Sequence, residues 1–185
     1  MPRPPSRAQA AWFDDWLGPH GTLDRVPPGH EAAVALLHPG TRAARDERFP
    51  PYRGPRRGEL GAEQKRLLTH LLIAVSGTRS PATSASWEPA PDVWPQPPLD
   101  LGLLVRSELD FVLVGGRLGS LVWSTWEPRL RQSQPVSALW PDDHAWCVWS
   151  DPRLAYSVLA GSAALCDRAR EATSLGVADL RPTRR

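Results

Sequence analysis

The chain has 185 residues, 41% of them hydrophobic and 23% charged, which suits one compact domain with a core and is short for two. A formal charge of only +2 argues against a nucleic-acid partner, and no run of about 18 apolar residues offers a membrane span. The 21 prolines and 14 glycines imply much turn and loop, so the core has to come from a minority of segments.

Residues 1–10 are polar and proline-rich and read as a disordered tail ahead of a domain over 11–180. No apolar stretch precedes the acidic pair Asp14 and Asp15, so no secretory signal is expected and the chain reads as cytoplasmic. Ala11 to Leu17 carries Trp12, Phe13 and Trp16 at spacings that fit one side of a short anchoring helix. Turn chemistry then leads into Glu31 to His38, where alanine favours helix while the shortness and sharp boundaries favour a strand. Residues 41–58 are charged and proline-rich without period, a long surface loop.

Leu60 to Val75 places Leu67, Leu68, Leu71, Leu72 and Val75 on one helical stripe, with Gly77 beyond as the C-cap. A short strand is expected over Ala82 to Glu88, then a second proline-rich loop over 89–98. Phe111 to Val114 reads as a buried strand closed by Gly115 and Gly116, with Leu101 to Val105 as an apolar lead-in, and Leu118 to Trp126 as a short helix or turn. In Trp140 to Ser162 a turn at Pro141 to Asp143 precedes a strand from Ala145 to Ser150. A turn at Asp151 and Pro152 and a strand from Ala155 to Leu159 complete a hairpin-like pair. Ser162 is placed to N-cap a last helix over Ala163 to Thr173, and 181–185 form a basic tail. The fold class expected is α+β, a small, mostly antiparallel sheet packed against a few helices with long proline-rich loops.

Several segments carry a resemblance: VPPGHEAAVALLHP (26–39), SASWEP (84–89), FVLVGG (111–116), and QSQPVSALWPDDHAWCVWSD with LAGSAAL. On these the chain resembles an uncharacterised actinobacterial family with a WPxDxAW element, a strand hairpin and a GS-capped C-terminal helix. The resemblance implies a mixed α+β fold with short strands and no particular substrate. Members usually carry several acidic residues after the WPxDxAW strand, where this chain reads Asp151, Pro152, Arg153, Leu154 and Ala155.

For chemistry, Asp142, Asp143 and His144 form the densest polar cluster, and paired carboxylates beside an imidazole can act as acid and base in a hydrolase. The plainer reading is a turn in which an Asp after Pro satisfies backbone donors. No nucleophile elbow, P-loop, dinucleotide fingerprint or metal-ligand spacing appears, so neither a cofactor nor a metal is expected, and Cys147 and Cys166 read as buried free thiols. Nine tryptophans are the most unusual feature. They either fill a core short of phenylalanine or form a contact surface, with Trp94, Trp140, Trp149 and the arginine Arg153 as the binding residues. Parity puts Trp146, Val148 and Ser150 on one face of their strand and Cys147 and Trp149 on the other. The function expected is therefore non-enzymatic binding of a protein or small ligand, with the Asp142/Asp143/His144 hydrolase as the alternative.

Overall fold

The strand Cys147–Ser150 shows how the sheet is built. Trp146 and Val148 sit in one hydrophobic cluster and Cys147 and Trp149 in another, so each face of the sheet carries its own core. The computed structural model describes residues 5–17, 26–39, 60–87, 103–106, 110–120, 124–127, 132–150 and 156–180. The segments read from sequence as loops, 41–58 and 89–98, and the tail 181–185 lie outside them, as does the turn at Asp151 and Pro152.

In chain order the described strands are β1 (Ala32–Leu37), β2 (Pro81–Trp87), β3 (Leu103–Arg106), β4 (Asp110–Arg117), β5 (Ser124–Glu127), β6 (Gln132–Pro135), β7 (Ala138–Pro141), β8 (Cys147–Ser150), β9 (Tyr156–Gly161) and β10 (Val177–Asp179). The helices are α1 (Arg7–Leu17), α2 (Ala62–Ser76) and α3 (Ala163–Glu171). Eight strands pair in the order β10-β1-β9-β8-β7-β2-β4-β3, every neighbour antiparallel, and β5 and β6 form a separate two-stranded pair. The fold is thus α+β around an antiparallel sheet, as expected.

One face holds α2 and α3. Leu68 and Leu72 of α2 and Leu165, Cys166 and Ala169 of α3 meet Val34, Leu36, Trp146, Val148 and Leu159 of the strands. Gly77 closes α2 with a positive φ of 86°, its N–H bonded to the carbonyl of Ile73. Ser162 caps α3 with its hydroxyl on the N–H of Leu165. Buried Gln64 ties α2 to the sheet: its amide donates to the carbonyls of Leu37 (2.8 Å) and Leu175 (2.7 Å) while its oxygen accepts from Gly61 N (3.1 Å).

The other face holds α1. Ala10, Phe13, Trp16 and Leu17 pack on Phe111, Leu113, Ala138, Trp140, Trp149 and Val158. Residues spaced three and four apart put this apolar stripe on one side of the helix.

Several expectations need correcting. Arg7–Ala10 belong to α1 rather than to a disordered tail, because Gln9 and Ala10 are buried against the sheet. Within the ambiguous segment 31–38, Ala32–Leu37 is strand, fixed by pairing with β9 on one side and β10 on the other. Gly115 and Gly116 do not end β4 but lie inside it, opposite Thr83 and Ala82. After a 3₁₀ turn at Leu118–Ser120 the chain enters β5 rather than continuing as a helix.

Candidate functional site

Antiparallel registers sort the candidate residues between two ends of the sheet. At one end lie the last residues of β1, β2 and β8 and the first of β7 and β9, with Leu37 opposite Tyr156 and Ser150 opposite Ser157. At the other, Ala32 faces Gly161 and Ala82 faces Pro141, and the turn Asp142–His144 follows directly. These are called below the Ser150 end and the His144 end.

At the His144 end the expected acid/base cluster anchors α1. His144 sits at φ 54°, the left-handed region, which swings its ring away from the turn. The ring stacks on Trp12, centroids 4.3 Å apart and 12° between planes. Its Nε2 is 2.9 Å from Gln9 Oε1, and the same oxygen accepts the indole N–H of Trp140 at 2.6 Å. The Gln9 amide in turn donates to the backbone carbonyl of Asp142 at 2.8 Å. Because Gln9 Oε1 can only accept, the neutral His144 ring carries its proton on Nε2. Burial holds this imidazole below its ordinary value, against the pull of Asp143, with a smaller push in the same direction from His30 and a small opposing pull from Asp142.

Asp143 is exposed, and its carboxylate accepts from the N–H of Ala145 at 3.0 Å, closing the turn. Asp142 enters the Gln9 clamp through its main chain. Asp143 and His144 therefore face in different directions, Asp143 to the turn and His144 to α1. Among the described residues no group of three or more His, Cys, Asp or Glu side chains gathers as a ligand set.

The expected tryptophan surface is altered at two of its positions. Trp140 is 0% and Trp149 2% exposed, and both lie under α1. Phe13 stacks on Trp140 at 5.0 Å, and Trp16 meets Trp149 edge-on at 5.2 Å. Neither ring reaches the surface, because an N-terminal helix whose aromatic spacing matches the sheet covers that face. Trp94 and Arg153 lie outside the described residues.

At the Ser150 end the sequence reading missed a polar chain. The imidazole Nε2 of His38, just past β1, is 2.8 Å from Ser157 Oγ on β9, which is 2.5 Å from Ser150 Oγ on β8. Ser157 is 0% and His38 5% exposed, while Ser150 is only partly buried. The signal in the sequence is small: one serine in each of two otherwise apolar strands, CVWS and YSVLAG, and a histidine where an apolar strand ends. The Ser150 N–H is engaged by the carbonyl of Ser137 at 2.7 Å. The three side chains could hold a polar group of a ligand. Neither a family model nor a curated protein nor a solved structure matches the chain.

Proposed function

We propose that the chain is a binding protein rather than a catalyst, and that it engages a protein or a small ligand at the Ser150 end of its sheet. One observation carries this reading. The strand ends that lead into the segments bearing Trp94 and Arg153, and into the arginine-rich residues 40–59, meet at one end, beside the His38–Ser157–Ser150 chain. The acid/base cluster lies at the opposite end, where docking α1 already engages it.

Buried polar groups support a recognition role for that end. Replacing both partners of a buried hydrogen bond by apolar groups of the same shape can be nearly neutral, so the His38–Ser157–Ser150 chain is not explained by stability alone. Arginine and tryptophan are the side chains that contribute most at contact sites, and Trp94 and Arg153 belong to this proposal, whereas Trp140 and Trp149 do not. Membership of the actinobacterial family described above and a cytoplasmic location are part of the same proposal. Two free thiols, Cys147 and Cys166, both buried, fit a reducing compartment, and no described helix is long and apolar enough to cross a membrane.

The test is capture of a partner from native cells with the wild-type chain, Arg153→Ala, Trp94→Ala and Asp143→Ala side by side. A partner held by the wild type and Asp143→Ala but lost from the first two variants is expected. Equal capture by all four, or loss only with Asp143→Ala, contradicts the proposal.

A further inference from the structure

We draw no further inference here: the strongest candidate, the outward ridge of α2 on which Leu67 and Leu71 are half-buried and Val75 is 44% exposed, is an apolar helix face, and nothing in the described residues shows what covers it.

Discussion

Replacing Gln9 by alanine removes three hydrogen bonds from the seam between α1 and the His144 end. The lost contacts are the amide on the Asp142 carbonyl at 2.8 Å, the Trp140 indole on Oε1 at 2.6 Å and His144 Nε2 on the same oxygen at 2.9 Å. The Trp140 donor weighs most, because a side chain at 0% exposure has no water to turn to. A buried donor left unsatisfied costs about 1–3 kcal/mol and each further bond about 0.5–1.5 kcal/mol, so about 3 kcal/mol is expected in total. For a chain of this length that lowers Tm by about 6–12 °C. Denaturant unfolding gives the free energy, tryptophan emission reports the environment of Trp140, and hydrogen exchange over 7–17 reports whether α1 opens ahead of the sheet. A loss below about 0.5 kcal/mol with unchanged exchange in α1 would refute the reasoning.

Three other outcomes follow from the same geometry. Since burial lowers the His144 pKa in the fold, the unfolded chain takes up the proton first: this residue's contribution is complete above about pH 6.5, declines as pH falls below it, and levels off below the folded pKa. Wild type should thus lose more stability than His144→Gln between pH 7.5 and 5.5 in paired denaturation curves, and parallel losses would contradict the assignment. Ser162→Ala should cost about 1 kcal/mol and Ser162→Gly only a few tenths, because the serine hydroxyl caps Leu165 N and glycine tolerates the cap backbone; equal losses in thermal unfolding would count against capping. Burial raises the Cys147 thiol well above its ordinary value and raises that of Cys166, so neither should react with an aromatic disulfide reagent at pH 7.5 until the chain unfolds. Rapid labelling of the native chain at either position would show that position to be open.

The features legible in the sequence are those fixed by neighbours along the chain. The leucine stripe of α2, except for its expected member Val75, which is 44% exposed past the packed turns, the serine cap of α3 and the opposite facing of Trp146 and Trp149 follow from helical and strand periods alone. Pairing between distant segments was not legible. Ala32–Leu37 become strand because β9 and β10 flank them, and β10 itself is three residues long with no local signature. The site shows the same division. Asp143 in a turn could be read locally, but Gln9 meets its partners across more than 130 residues, so the destiny of His144 and Trp140 depended on a helix that sequence placed only in part. Ser150 and Ser157 look like ordinary strand residues until register sets them opposite each other and beside His38.

The claim that contact is made at the Ser150 end is tested most directly by site-specific photo-crosslinking in native cells. A benzophenone side chain replaces Arg153 or Trp94, which follow Ser150 and Trp87 in sequence, and Asp143 or Thr78 at the opposite end, one position at a time. Covalent adducts are expected from the first pair and not from the second. Adducts formed at Asp143 or Thr78 as readily as at Arg153 or Trp94, or at those two positions alone, would contradict the account.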